Sequence, residues 1–490
     1  MMSQPVVHIA HFNLKYHQKP VLQDLSWVIN RNDNWLLCGS SGTGKTSLAK
    51  AIAGLIPVHE GEVNINFHPE STLPAMVHYV ANWYQFKDLE GASNFYYQQR
   101  YNSSVTVTTA TVIAELEVYG KEYGLPSEEI EHILEALGFT ALKNSPLIQL
   151  SSGEHKKLQL VKALWLKPQL LILDQPYNGL DSLSRKNLNI LLEEIAAAGT
   201  QLILISNETE LPAVINRFAE IRKGALKEVS FEERALDLVE EITKPVPSFL
   251  NNVSVSSTAD HVIKMIDVNI SYSGKQVLKN INWEVNSGEK WLLQGYNGSG
   301  KSTLLSLIAG DHPQAYSNNF YLFGNKRGTG ESIWEIKERI GLISPELHWY
   351  FDASATVWQS IASGFYDSSG LFCNPGATKH KQVDELISYF GLTEYKNRLM
   401  NELPLGKQRL TLLARTIIKN PEILILDEPC QGLDQQQTQH FNKLVDELCK
   451  NGTTLIYVGH FESQLPSCLE KRILLENGEV KSVEPMLQTI

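Results

Sequence analysis

Two twelve-residue stretches, LLILDQPYNGLD at 170–181 and ILILDEPCQGLD at 423–434, write the same pattern twice in one chain. Each is an apolar run ending in aspartate, the signature of a strand buried on both faces of a mostly parallel sheet. Upstream of each lies a glycine-rich turn, GSSGTGKTS at 39–47 and GYNGSGKST at 295–303. The spacings repeat as well: Lys45 to Lys301 is a shift of 301 − 45 = 256, and Asp174 to Asp427 a shift of 427 − 174 = 253. A chain of 490 residues exceeds what one hydrophobic core organises, and the repeat divides it into units of roughly 200 to 250 residues. We expect domains at 1–228 and 261–490. The linker at 229–260 runs from the acidic FEERALDLVEEI into KPVPSFLNNVSVSSTAD, whose Pro, Ser and Asn suit a solvated connection. Alternating segments open both halves (VVHIAHFNLKY and VIKMIDVNISY), followed by strand, glycine turn and helix (NWLLCGSSGTGKT and KWLLQGYNGSGKS). An α/β fold follows, with helices flanking each sheet.

Both turns fit G-x-x-x-x-G-K-[ST] between a predicted strand and a predicted helix, the context that a phosphate-binding loop requires. Glycines at 39, 42 and 44, and at 295, 298 and 300, let the backbone curl so that N–H groups face an anion. The expected ATP-binding residues are therefore Gly39, Ser40, Ser41, Gly42, Thr43, Gly44, Lys45, Thr46 and Ser47 in the first half. In the second they are Gly295, Tyr296, Asn297, Gly298, Ser299, Gly300, Lys301, Ser302 and Thr303. The lysines reach the β- and γ-phosphates. Thr46 and Ser302 offer hydroxyls to Mg²⁺, and Asp174 and Asp427 hold its hydration shell.

Composition narrows the remaining choices. No apolar run approaches the ~20 residues that cross a bilayer, and the first residues carry no export leader, so a cytoplasmic location is expected. Cys38, Cys373, Cys430, Cys449 and Cys468 have no paired metal-ligand spacing, which argues for reduced thiols. A net charge of -11 disfavours a broad nucleic-acid face.

Between loop and aspartate, LSSGEHKK at 150–157 resembles the signature motif of ATP-binding-cassette ATPases, and GLD at 179–181 and 432–434 resembles that family's D-loop. The resemblance spans both halves. It implies a nucleotide-binding domain in each, with an antiparallel β-subdomain and a helical subdomain added to the main sheet. Tyr16 and Tyr272 stand where the family stacks a ring on adenine, although either could be a plain strand residue. The family further implies composite sites, closed by the loop of one half and the signature of the other within an internal pseudo-dimer. One such set keeps the family's pattern: Lys301, Ser302, Asp427, Glu428 and His460 with Ser151, Ser152, Gly153 and Glu154. Glu428 is placed to take a proton from water or orient it, and His460 to contact the γ-phosphate. The other set departs from it, with Gln175 for the glutamate, Asn207 for the histidine, and Pro404 in LPLGKQR for the signature serine. The expectation is one hydrolysing site and one that keeps ATP as a clamp.

Gln85 is the candidate for the family's Mg²⁺-sensing glutamine in the first half, whereas the second presents Ser344, Pro345 and Glu346. The stretch from Ala309 to His348 resembles the ModF type of duplicated cassette ATPase, a family of molybdate-transport ATP-binding and photorepair proteins. That likeness implies a separate membrane permease as partner and a place on the inner face of the membrane. Translation- or repair-associated ATPases and an ATP-dependent clamp are the alternatives. No oxyanion site apart from the phosphate loops is visible.

Overall fold

The first strand of each half shows how an alternating sequence meets a twisted sheet. In β1 (Val7–Tyr16), Val7 and Ile9 are buried, the register shifts, and Phe12 and Leu14 resume the buried face. The extra residue is absorbed at His11, whose φ is 50°. A bulge of this kind re-aims every following side chain, because strand side chains alternate with period two. The second half repeats the device at Asp267, with φ 49°, between Met265 and Val268.

The computed structural model describes residues 5–16, 19–40, 42–67, 77–81, 110–147, 150, 152–208, 210–230, 245–250, 261–272, 275–345, 354–368, 370–433, 435–459 and 465–486. They fall into two compact units, one ending within the first 237 residues and the other beginning beyond them. Much of the expected linker, at 231–244 and 251–260, lies outside the described residues.

In the first unit β1 joins β2 (Lys19–Ile29) and β4 (Glu60–Ile65) in an antiparallel sheet of order β2-β1-β4. A six-stranded sheet carries the site. It contains β3 (Trp35–Cys38), β5 (Val77–Val80), β6 (Leu170–Asp174), β7 (Gln201–Ile205), β8 (Arg217–Arg222) and β9 (Ala225–Glu228), in the order β5-β6-β7-β3-β8-β9. All neighbours are parallel except β8 and β9. Around it lie α1 (Lys45–Ile52), α2 (Val112–Tyr123), α3 (Ile130–Ala136), α4 (Ser152–Leu166) and α5 (Ser182–Ala197). In β6, Leu170 and Ile172 pack toward the antiparallel sheet, and Leu171 and Leu173 toward the helices, so the strand's continuous apolar run is buried on both faces. Edge-on packing of Trp27 against Trp35, with ring centroids 5.2 Å apart, links the two sheets.

The second unit repeats the plan. Strands β10 (His261–Tyr272), β11 (Lys275–Asn286), β13 (Asn319–Leu322) and β14 (Asn325–Lys326) form an antiparallel sheet. The main sheet, of order β15-β16-β17-β12-β18-β19, holds β12 (Lys290–Gly295), β15 (Ile340–Ile343), β16 (Ile423–Asp427), β17 (Thr454–Val458), β18 (Lys471–Glu476) and β19 (Glu479–Pro485). Its helices are α6 (Lys301–Ile308), α7 (Ile333–Arg339), α8 (Val357–Ser363), α9 (Gly376–Tyr389), α10 (Leu405–Ile417) and α11 (Gln435–Cys449). The amphipathic SIWEIKERI becomes α7, started by a capping box between Ser332 and Glu335. Trp283 and Trp291 repeat the tryptophan pair at 5.5 Å. In both main sheets the strand that feeds the glycine turn is flanked by two parallel neighbours, so the turn leaves the carboxyl edge of a paired strand, where α/β folds place ligands.

Candidate functional site

At their second and third glycines the two turns share one backbone conformation. Gly42 and Gly298 both have φ 79°, and Gly44 and Gly300 have φ 100° and 102° before the first turns of α1 and α6. A Cβ at Gly44 would sit 2.7 Å from Leu22 Cδ2, and one at Gly300 2.6 Å from Leu278 Cδ2. Glycine is required there by both dihedral and space. Each loop wraps its own lysine: Lys45 Nζ donates to the carbonyls of Gly39 and Ser40 at 2.7 Å each, and Lys301 Nζ to those of Gly295 at 2.6 Å and Tyr296 at 3.1 Å. An ammonium inside a curl of main-chain N–H groups at a helix start is a cradle for phosphate oxygens.

At the end of β6, Asp174 is 2% exposed and its Oδ2 accepts from Thr46 Oγ1 at 2.6 Å. The sequence reasoning placed this hydroxyl and this carboxylate together. It missed two further groups. Tyr79 on β5 donates its hydroxyl to the same oxygen at 3.0 Å, and burial together with the Asp174 carboxylate raises its pKa. Lys156, on α4, donates to the carbonyl of Ala81 at 2.8 Å and to that of Asp174 at 3.4 Å. Burial pushes its pKa down to about 7, against the opposing pull of Asp174. Alternation along β5 could have pointed to Tyr79, but only the register of β5 on β6 puts its hydroxyl at Asp174.

The residue after each aspartate is held in a left-handed backbone: φ is 49° at Gln175 and 44° at Glu428. Both are fixed through main-chain groups, since Gln175 N donates to Ile205 O at 2.8 Å and Glu428 N to Val458 O at 3.2 Å. The same turn continues in both, with Asn178 N bonded to Gln175 O and Gln431 N to Glu428 O. Strain of this kind at a strand end gathers at functional sites. Gln431 Nε2 also donates to Glu428 Oε2 at 3.3 Å, a partner that sequence reasoning missed. The carboxamide of Asn207 bonds the first loop at Gly39, accepting from its N–H at 3.3 Å and donating to its carbonyl at 3.4 Å.

Gly153 and Glu154 lie in the first turn of α4, which begins at Ser152. Asp181 of the first D-loop caps α5 by accepting from Ser184 N at 2.8 Å and stands 3.8 Å from Lys157 Nζ. In the second half Pro404 is the residue before α10, with no side-chain cap. Arg409, three residues after Gly406 as Lys156 is after Gly153, is buried and donates to Gln431 O at 3.4 Å. Burial lowers its pKa to about 10. Tyr272 ends β10 with its hydroxyl against Nε2 of His312, whose Nδ1 accepts from Gln314 N at 3.2 Å. Burial pushes His312 down to about 4, so the neutral ring anchors the tyrosine. Arg327 pairs with Glu331 at 2.6 Å, a structural role. Ser41, Gln85, Ser151, Glu346, Asp434 and His460 lie outside the described residues, as do the side chains of Tyr16 and Ser152.

The donor chemistry fits Mg²⁺ held together with a nucleotide. Thr46 and Asp174 contribute oxygen atoms, and among the described residues no group of three or more His, Cys, Asp or Glu side chains could cage a metal alone. No helix among the described residues is long and apolar enough to cross a membrane.

Comparisons with known proteins agree with this geometry. The ABC transporter family model matches residues 22–178 and again 278–431. The chain is 33% identical over 466 residues to the ABC transporter ATP-binding protein ModF of Escherichia coli (strain K12), covering 91% of this chain and 92% of that protein. It is 30% identical over 473 residues to an uncharacterised ABC transporter ATP-binding protein of Schizosaccharomyces pombe, covering 94% and 96%. A second uncharacterised ABC transporter ATP-binding protein, from Saccharomyces cerevisiae, is 27% identical over 390 residues, covering 71% and 72%. Two glycine cradles, two aspartate-ended strands and matches that cover most of the chain place it in the ABC transporter family, as a duplicated-cassette protein that binds and hydrolyses ATP.

Proposed function

We propose that the two cassettes divide the work: the second phosphate loop, acting with the signature of the first half, turns ATP over, and the first loop retains ATP as a clamp. The carrying observation is that Glu428 and Gln175 occupy the same left-handed turn, so that only the head group differs. A carboxylate can accept a proton from water; a carboxamide cannot. Gln431 steadies the Glu428 carboxylate from one side. Lys301 supplies a positive charge within its loop, and the family likeness assigns the γ-phosphate to His460. Mg²⁺, when bound, would neutralise charge on the phosphates, held by Ser302 and Asp427 in the second site and by Thr46 and Asp174 in the first.

In this reading the protein is the ATP-binding component of a transport system with a separate membrane permease, at the inner face of the membrane. The name of the Escherichia coli relative supports the transport half of the reading, and the family likeness suggests molybdate as cargo. Steady-state turnover of Glu428→Gln and Lys45→Ala tests the division. We expect Glu428→Gln to lose about 10² to 10³-fold in turnover and Lys45→Ala to keep most of it; full activity in Glu428→Gln would overturn the assignment. Capture of partners on Glu428→Gln held with ATP tests transport. A permease supports it, and ribosomes or DNA refute it.

A further inference from the structure

The first site differs from the second in a hydroxyl beside its strand-end aspartate. Tyr79 pairs with Ile172 on the neighbouring strand, and Leu342 pairs with Ile425; each isoleucine lies two residues before its aspartate. The two positions are therefore equivalent, and a hydroxyl in the first half is replaced by an apolar side chain in the second. Three residues after the signature glycine, Lys156 reaches the main chain of Asp174, whereas Arg409 turns to Gln431 O. Asp174 is buried, and Asp427 is partly exposed.

Oδ2 of Asp174, accepting from both Thr46 at 2.6 Å and Tyr79 at 3.0 Å, has both lone pairs engaged, so the water shell of a small hard cation is left with Oδ1 or must displace one of these donors. Mg²⁺ demands near-octahedral geometry and sheds water reluctantly, so it must compete with these protein donors. Beneath the same strand end, Lys156 Nζ donates to the carbonyls of Ala81 and Asp174 and holds the main chain that carries the aspartate.

We propose that Tyr79, with Lys156 beneath the strand end, is a positioning residue that makes nucleotide binding at the first loop depend little on Mg²⁺. The inference rests on the reading of the first loop as an ATP-holding site. It is a property of this chain's side chains around Asp174.

The test uses the full chain carrying Lys301→Ala, which silences the second loop, and measures retained ATP by equilibrium dialysis with Mg²⁺ or with EDTA. With Tyr79 intact, chelation should weaken ATP binding less than about threefold; with Tyr79→Phe it should weaken it about tenfold or more. Tyr79→Leu, which copies Leu342, should behave as Tyr79→Phe does and guards against an effect peculiar to one variant. Mn²⁺ titration followed by electron paramagnetic resonance gives an independent reading: both variants should bind Mn²⁺ at the first loop about tenfold more tightly than the parent. Equal loss of ATP on chelation with and without Tyr79, or unchanged Mn²⁺ affinity, overturns the role of Tyr79. Absence of ATP at the first loop even with Mg²⁺ overturns the clamp reading, and this inference with it.

Discussion

Laid over one another, the two halves share strand order, loop dihedrals, tryptophan pair and bulge, and differ in the side chains that touch phosphate chemistry. Glu428 takes the position of Gln175, Leu342 that of Tyr79 and Arg409 that of Lys156, and Asp427 is more open than Asp174. The differences cluster at the carboxyl ends of two adjacent strands and at the start of one helix. The core beneath is the same in kind, with Leu, Ile and Val filling both faces of each main sheet. Scaffold and side-chain chemistry have thus separated: what builds the cradle is kept in both halves, and the carboxylate that follows the strand-end aspartate is present in one, as Glu428, and replaced by Gln175 in the other.

Four experiments would break or sharpen that contrast. The largest effect is expected on turnover. Restoring a carboxylate with Gln175→Glu in a Glu428→Gln chain should recover about a tenth of wild-type activity or less, because Asn207 and Pro404 still depart from the pattern; full recovery in an ATPase assay would erase the asymmetry. Next, Gly44→Ala and Gly300→Ala should each cost about 1–3 kcal/mol locally, since the two loops share one backbone. Hydrogen exchange across α1 and α6 would read this, and a large effect in only one half would contradict the equivalence of the loops. Smaller still, Gln431→Leu should lower turnover about threefold to tenfold with KM little changed, because it loosens a hydrogen bond to Glu428 and no contact with substrate. The smallest concerns pH. His312, where the first half has Ile56, is held neutral by the fold, its pKa lowered from 6.5 to about 4. On acidification the unfolded chain takes up this proton first, so the stability His312 supports is full above pH 6.5 and lost as pH falls toward about 4. His312→Ile should flatten acid unfolding of the second half in that window, as followed by circular dichroism.

The parts of the site legible in sequence are those written locally. A glycine turn, a lysine and a hydroxyl within nine residues, and a strand ending in aspartate, announce themselves because their geometry is set by their immediate neighbours. Tyr79 was not legible: it lies 95 residues from Asp174, and its role depends on which strand pairs beside β6 and in what register. The same holds for His312, 40 residues from Tyr272. Lys156 stands within LSSGEHKK without marking itself out, and only burial of its ammonium against the end of β6 shows what it holds. The bulges at His11 and Asp267 escaped for a related reason, since an interruption of strict alternation looks like noise until the partner strand shows the extra residue.

The left-handed turn after each strand-end aspartate has one more consequence. Because it is pinned through main-chain atoms to the neighbouring strand, the turn forms with either a carboxamide or a carboxylate side chain. A doubled protein can therefore exchange the side chain at this turn in one copy without altering the main-chain frame around it, and an assay of folding would report little of such a change.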